Sequence, residues 1–237
     1  MGLTIAPPGI KPVQHLKRLC KASFWLAAIF FILSCSLVLC LRWINPPTSA
    51  VIVAWQLESG HRAKQQWQPL ANISPHLQIA VVASEDQKFP QHYGFDFGSI
   101  QKSLNENRNR PRGASTISQQ VAKNLFLWNG RSYVRKVLEA WFTVLMETLW
   151  PKQRILEMYL NIAEFGEGVY GAQAAAGMFY GRPAKNLSPW QSALLAAVLP
   201  SPKKMSAARP SDYVRSRAET INKMAWQLGG TGYLRDL

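Results

Sequence analysis

The chain has 237 residues, 48% of them hydrophobic, which is enough to build the core of one catalytic domain and excludes general disorder. Its formal net charge of +14 favours a polyanionic partner, namely nucleic acid, anionic lipid or a phosphorylated substrate, without choosing between them. Cys20, Cys35 and Cys40 all lie in or beside an apolar N-terminal segment. The rest of the chain therefore has no disulfide framework or thiol chemistry, which suits an oxidising compartment.

An uncharged run from Ala22 to Leu41 predicts a transmembrane helix. A helix of this length spans roughly 30 Å, the thickness of the bilayer hydrocarbon core. Several basic residues precede the run and only Arg42 directly follows it, which predicts a cytoplasmic N-terminus and an external domain. A cleavable signal peptide is the alternative, but the small residues it needs at its exit lie well beyond the run, so we expect a retained anchor.

The sequence after the anchor predicts mostly helices. Residues 51–72 have an ambiguous period, and only 51–57 could form a strand. Ser74 followed by Pro75 indicates a helix start, and Thr116 with Gln119 indicates a capping box. Later helices are expected to start at Pro151 and at Ser188–Pro189, and to run from Asp212 to Leu228 before Gly229–Gly230.

Residues 131–150 predict a strongly amphipathic helix. Its apolar stripe comprises Val134, Leu138, Trp141, Leu145 and Leu149. On the opposite, polar side Arg131, Arg135 and Glu139 follow one another at a spacing of four. An exposed ladder of charges explains this pattern as well as a binding site does.

Two further clusters could carry chemistry. Glu85 and Asp86 lie where an apolar helix ends, with His92 close behind, and a partly desolvated carboxylate there could act as a general base. An ordinary solvated helix end is the simpler explanation of these residues. Hydroxyl residues after Gly113 start the next helix and offer free backbone N–H groups that suit a phosphate, although a well-capped helix needs the same residues.

In their order and spacing, four blocks resemble the peptidoglycan glycosyltransferases. The blocks read EDQKFPQHYG, GASTISQQVAKN, RSYVRKVLE and KQRILEMYLNIAEFGEGVYG. The resemblance extends from about Ile73 to Leu228. It implies a lysozyme-like helical domain with a membrane-proximal jaw that includes residues 95–112. The predicted organisation is a cytoplasmic segment 1–21, a transmembrane helix 22–42, a linker and membrane-proximal segment 43–72, and a glycosyltransferase domain 73–237.

The resemblance also implies a reaction. Lipid II and the growing glycan strand would be the substrates, polymerised into β-1,4-linked glycan with inversion and release of polyprenyl diphosphate. Glu85 matches the family's general base, and Glu139 matches a second essential carboxylate that orients cations or holds a divalent ion, Mg or Mn. No organic cofactor is expected. Ser201 and Lys204 match the S-x-x-K signature of transpeptidases, but no K-T-G follows, so we expect no transpeptidase activity.

The remaining site residues are carried over from the same blocks. The expected substrate-binding residues are Ser115, Thr116, Gln119, Gln120, Lys123, Asn124, Arg131 and Arg135. The expected supporting residues are Asp86, Phe89, His92, Gly94 and Gly113. Lys123 and Arg131 match cations that contact phosphate. Glu157, Tyr159, Asn161 and Gly166 belong to the later blocks and are expected to serve structure.

Two rival functions are left open by the sequence: a lytic, lysozyme-like muramidase and a non-catalytic scaffold of cell-wall synthesis. A muramidase needs no cations for a departing diphosphate, so Lys123 and Arg131 favour synthesis. Nucleic-acid binding is disfavoured because no such motif occurs and the domain is predicted to lie in the periplasm, anchored in the bacterial inner membrane. Cell-division or wall-synthesis proteins are possible partners.

Overall fold

The computed structural model describes residues 12–98, 101, 115–130 and 132–237, with side chains from residue 18 onward. Its elements are α1 (Pro12–Leu41), α2 (Ala50–Ser59), β1 (Lys64–Gln65), α3 (Pro75–Glu85), α4 (Ile117–Phe126), α5 (Tyr133–Leu149), α6 (Lys152–Ile162), β2 (Glu164–Gly166), β3 (Val169–Tyr170), α7 (Ala172–Tyr180), α8 (Pro189–Val198) and α9 (Asp212–Gln227). Short 3-10 helices lie at Leu70–Asn72, Ala184–Asn186 and Gly230–Leu234. The prediction of a mostly helical protein is confirmed.

α1 contains the apolar run and extends beyond its predicted start. The segment Arg18–Leu41 has a mean hydropathy of 2.6 and is long enough to cross a membrane. Most of its side chains are exposed, as expected of a helix whose surroundings are lipid. This helix is therefore suited to anchor the protein, while its orientation stays a prediction.

The helix starts follow the local signals in the sequence. The Ser74 side chain accepts a hydrogen bond from the backbone N–H of His76 and caps α3. Thr116 and Gln119 form the predicted capping box of α4, and Gly229, with φ of 100°, follows the end of α9. Each of these signals acts within about one turn of helix, which is why the sequence alone reveals it.

The region between the anchor and α3 differs from the prediction. Residues 51–57 lie in α2, which Ser49 caps, so the possible strand there was wrong. The strands are instead β1, β2 and β3, which form a small sheet in the order β1-β3-β2. β1 pairs in parallel with β3, and β2 pairs antiparallel to it. Strands of two or three residues are too short to show alternation in a sequence.

The predicted linker and membrane-proximal segment, 43–72, is packed into the domain. Besides β1, it places the backbone N–H of Leu70 at 2.8 Å from Glu157 Oε2. The Asn161 side chain accepts from the Gln68 N–H and donates to the Gln68 carbonyl, both at 2.8 Å. Glu157 and Asn161 thus have the structural role expected of them, and the boundary predicted at residue 73 separates elements that contact each other.

The core is formed by two groups of helices. α3 packs against α8 and α9, and α4 packs against α5 and α6. One cluster of buried apolar side chains joins the groups, including Leu77, Val81, Val121, Met146 and Leu156. This arrangement brings the C-terminal end of α3 next to the N-terminal end of α4.

The burial of α5 corrects the predicted stripe. Val134 is exposed, whereas Phe142 and Met146 are buried against the core. Glu139, predicted on the polar side, is buried with 3% of its surface exposed. The sequence pattern misled because α5 packs on α4 with one face and beside α1 with another.

Candidate active site

Glu85 is the last residue of α3, and its side chain retains 15% exposure. The Ser84 hydroxyl donates to Glu85 Oε1 and the Gln120 amide donates to Oε2, each at 3.0 Å. Arg217 of α9 lies 4.0 Å from Oε1. The carboxylate is therefore held by hydrogen-bond donors from α3 and α4, with a cation of α9 nearby, and is still open to a substrate.

Asp86 joins the ends of two helices. Its Oδ2 accepts from the backbone N–H of Ile117 at 2.9 Å, and both its oxygens contact His92 Nε2 at 2.9 and 3.0 Å. The N–H of Gly94 donates to His92 Nδ1 at 3.1 Å, so the imidazole proton lies on Nε2 and is donated to Asp86. This network fixes the start of α4 relative to Glu85.

Gly94 has a backbone and packing position that only glycine fits. Its φ is +83°, and a Cβ atom there would lie 2.6 Å from Thr143 Cγ2. The Gly94 carbonyl accepts from the Thr116 hydroxyl at 2.6 Å. The loop after Glu85 is thus closed onto both α4 and α5.

A half-buried lysine supports the same loop. Lys152 Nζ lies 4.6 Å from the centre of the Phe89 ring and donates to the His92 carbonyl at 2.6 Å. It also donates to Glu147 Oε1 at 2.8 Å, and Glu147 accepts from the Ser118 hydroxyl. Phe89, which is completely buried, serves this support.

The residues predicted at the start of α4 divide into two groups. Thr116 and Gln119 are buried and hydrogen bond to each other's backbone in the capping box, so they hold the helix. Gln120 faces Glu85 and also accepts from the hydroxyl of Tyr159 at 3.2 Å. Ser115 is exposed ahead of the cap. Gly113 and Arg131 lie outside the described residues.

A cluster of cations surrounds Glu139. Arg135 Nη1 donates to Glu139 Oε2 at 2.8 Å, and Lys136 Nζ donates to Oε1. Lys123 lies close enough that Glu139 raises its pKa, while Arg135 and Lys136 lower it. Burial has the largest influence, and the pKa of Lys123 is lowered overall. Three cations thus face one buried carboxylate.

Two donors in this cluster have no partner among the described residues and are available to bind an anion. Within the part of the chain that the structure describes, the buried Arg135 Nε has no hydrogen-bond partner. Lys123 likewise makes no hydrogen bond or ion pair to any described residue. Unpaired buried donors are costly, and an anionic ligand would satisfy both.

A divalent ion fits Glu139 poorly in this arrangement. Both of its oxygens already accept from cations, and no group of three His, Cys, Asp or Glu side chains suited to a metal occurs among the described residues. Orientation of Arg135 and Lys136 is the role that this geometry fits.

A cavity of ≈ 250 Å³ extends from the cluster towards the small sheet. Its lining includes Gln120, Lys123 and Asn124 of α4, Tyr159 of α6 and Glu164 of β2. Burial, followed by the charge of Glu85, raises the pKa of Tyr159 well above its ordinary value, so its hydroxyl stays a donor to Gln120. Burial also raises the pKa of Glu164, against the effect of Lys203.

Three site residues were missed at the sequence level. Lys136 stands three residues before Glu139, a helical spacing that could have identified the pair. Tyr159 was assigned to structure alone, although it holds Gln120 beside Glu85. Arg217 gave no signal, because only the packing of α9 against α3 brings it near Glu85.

We expect Glu139→Gln to destabilise the protein and to lower the pKa of Lys123 further. The amide leaves Arg135 and Lys136 facing each other without a counter-charge, and breaking a fully buried pair costs roughly 3–5 kcal/mol. That is an upper limit, because the Lys136 side chain is 52% exposed. Thermal unfolding measures the effect, with Glu219→Gln on the exposed side of α9 as the charge-matched control. Equal stability of the two variants would contradict the importance of this cluster.

The fold and site are those of a helical protein with a fixed carboxylate and a cluster of cations that has a donor unpaired within the described ranges. A family model described as Transglycosylase matches residues 51–225. The chain therefore belongs to the transglycosylase family, which confirms the family predicted from the four sequence blocks, and it is a glycosyltransferase.

Relatives agree with this assignment over nearly the whole chain. The biosynthetic peptidoglycan transglycosylase of Xanthomonas campestris pv. campestris (strain B100) is 54% identical over 236 residues, covering 95% of this chain and 96% of the relative. The protein of the same name from Pseudomonas putida (strain W619) is 53% identical over 229 residues, covering 94% and 95%. That from Ectopseudomonas mendocina (strain ymp) is 50% identical over 228 residues, covering 93% of each.

Proposed function

We propose that this protein polymerises lipid II into peptidoglycan glycan strands and releases polyprenyl diphosphate. The observation that carries the proposal is the Glu85 carboxylate, fixed by Gln120 and Ser84 and close enough for its charge to act on the pKa of Lys123, with a donor on Arg135 in the same cation cluster that is unpaired among the described residues. Transfer of a sugar from a diphosphate needs a base at the attacking hydroxyl and positive charge at the leaving diphosphate. The printed names of the relatives supply peptidoglycan as the polymer.

In this mechanism Glu85 removes the proton from the 4-hydroxyl of the acceptor sugar. The hydroxyl oxygen attacks the anomeric carbon of the donor, the bond from that carbon to the diphosphate oxygen breaks, and the electron pair leaves with the diphosphate. Attack opposite the leaving group inverts the configuration, so an α-linked diphosphate becomes a β-1,4 glycosidic bond. The sugar forms no covalent bond to the enzyme, and one base is sufficient.

The cations stabilise the charge that the diphosphate gains. Charge grows on the leaving oxygen in the transition state, so fixed cations stabilise that state more than the ground state. Lys123 and Arg135 are assigned this role, together with Arg131 from the family resemblance. Glu139 holds Arg135 and Lys136 in place.

The protein acts at the outer surface of the bacterial inner membrane, with the N-terminus in the cytoplasm. Basic residues before the apolar run support this orientation. Lipid II is confined to the membrane, so an anchored enzyme finds it by a two-dimensional search at raised effective concentration. The product is glycan that this chain does not cross-link.

The proposal is tested with full-length protein in detergent, incubated separately with lipid II and with purified cell-wall sacculi. We expect long glycan from lipid II and no soluble muropeptides from sacculi. Added chelator tests the metal in the same assay, and labelling with a β-lactam tests for transpeptidase. Solubilised sacculi with unused lipid II would identify a muramidase, and no reaction with either would identify a scaffold.

A further inference from the structure

One stripe of α1 is buried against the domain. Ser34, Val38 and Leu41 are buried, whereas Phe24 and Leu33 are largely exposed. The buried positions recur at intervals of four and three, so they share one face of the helix. The last two turns of the anchor are therefore in contact with the folded domain and are not surrounded by lipid or water.

The carbonyl groups at the end of α1 all have partners. The last four carbonyls of a helix lack intrahelical donors, and here these belong to residues 38–41. Leu39 accepts from the N–H of Arg42, and Cys40 accepts from the N–H groups of Trp43 and Ile44. The other two carbonyls, those of Val38 and Leu41, accept from side chains of the domain.

These two donors are Trp150 and Arg154. The indole N–H of Trp150, whose side chain is buried, donates to the Val38 carbonyl at 2.7 Å. The Arg154 guanidinium donates to the Leu41 carbonyl from Nε at 3.1 Å and from Nη2 at 2.8 Å, and Nη2 also donates to the Ile44 carbonyl at 2.9 Å. A cation at a helix C-terminus also interacts favourably with the helix dipole.

The end of α1 also supplies a donor to the domain. Arg42, directly after α1, donates to the carbonyl of Leu149, the last residue of α5, at 2.6 Å. Arg154 is itself held by Glu157 at 2.5 Å and lies 5.5 Å from the centre of the Trp67 ring. Each helix end is thus capped by an arginine from the other segment, and Arg154 cannot rotate without losing several hydrogen bonds.

A second contact lies about 10 Å further along the anchor, a distance that follows from the helical rise between residues 34 and 41. Trp141 of α5 donates to the Ser34 hydroxyl at 3.2 Å, and its ring lies 5.6 Å from that of Phe31. Two contacts separated along a helix fix its direction as well as its position. A flexible tether would need neither.

We propose that Arg154 and Trp150 are positioning residues that make the anchor a rigid part of the enzyme, setting the height and tilt of the cleft at the membrane surface. This inference rests on the proposed function, because height matters only when the substrate is held in the bilayer. The diphosphate of such a substrate lies at the headgroups, so Lys123 must be presented at that level. A misplacement of 1 Å can lower a rate by about 10²-fold.

The rigidity is tested without any activity. Spin labels are placed at positions 33 and 220, both exposed, on a cysteine-free background of the full-length protein in lipid nanodiscs. We expect one narrow distance distribution, which Arg154→Ala combined with Trp150→Phe broadens at least about twofold. Gln153→Ala, on the exposed side of α6, is the control and keeps the distribution narrow. A broad distribution in the unmodified protein would overturn the proposal.

The consequence for catalysis is tested with two substrates. Arg154→Ala should slow polymerisation of lipid II in bilayers by about tenfold or more, and leave turnover of a short-chain, water-soluble lipid II analogue within about twofold. Arg154→Lys should recover part of the loss because an ammonium can still cap the Leu41 carbonyl. Equal losses on both substrates would indicate general damage and overturn the positioning role. If the unmodified protein polymerises neither substrate, the proposed function fails, while the spin-label result still decides the rigidity.

Discussion

Glu85→Gln is expected to abolish glycan synthesis and to leave the fold intact. The amide has almost the same shape as the carboxylate and can still accept from Gln120, but it cannot take the proton of the attacking hydroxyl. General-base catalysis contributes about 10²–10⁴-fold, so the turnover number should fall by at least two orders of magnitude. The measurement is the initial rate of lipid II polymerisation at saturating substrate, together with the thermal unfolding temperature.

The control for this experiment removes a carboxylate elsewhere. Glu219→Gln changes the net charge by the same amount on an exposed surface of α9 and should retain full activity. Arg217, which lies 4.0 Å from Glu85, loses its counter-charge only in the first variant. Long glycan made by Glu85→Gln at an ordinary rate would show that another residue is the base.

Lys123→Ala is expected to lower the turnover number far more than it raises KM. A fixed cation at the leaving diphosphate acts mainly in the transition state, and removal of one such contact costs about 10²–10³-fold in rate. Lys123 is suited to this role because no described residue neutralises it by direct contact. Rates measured over a range of lipid II concentrations separate the two constants, and a large rise in KM at constant turnover would assign Lys123 to binding alone.

The pH dependence of the same residue gives a sharper test. Burial lowers the pKa of Lys123, so as the pH rises the ammonium loses its proton earlier than an ordinary lysine does. Activity should therefore decline on the alkaline side at a pH below the ordinary lysine value of 10.5. Lys123→Arg keeps its charge at such pH, so this decline should move to higher pH in kcat/KM, which reports the free enzyme. An unchanged alkaline limb would assign it to another group.

Much of the site could be predicted from the sequence because its residues lie in compact blocks. Glu85, His92 and Gly94 lie close together in the sequence, at the end of α3 and in the loop after it. In the structure Asp86 binds both His92 and the start of α4, and His92 accepts from the N–H of Gly94. The capping box of α4 was visible for the same reason. Thr116 and Gln119 form this box, and their assignment to substrate stays a prediction.

The sequence was least informative where elements pack against each other in the folded chain. Glu139 was placed on the polar face of α5, yet it is buried, because that face packs near Lys123 of α4. Residues 43–72 were assigned to a linker and membrane-proximal segment, and their sequence did not reveal that β1 pairs with β3, about a hundred residues away in the chain. The periodicity of apolar residues in a helix shows which of its faces are apolar. It does not show which neighbouring element each face packs against.

The sequence by itself determined the apolar helix, the helix starts and the family, because each depends on residues within a few turns of one another. Only the tertiary structure decided that Arg217 approaches Glu85 and that Arg154 caps the anchor. These contacts join helices that are remote in the chain. Their formation depends on the packing of whole helices, whose burial of apolar surface outweighs the preference of any single charged side chain for water.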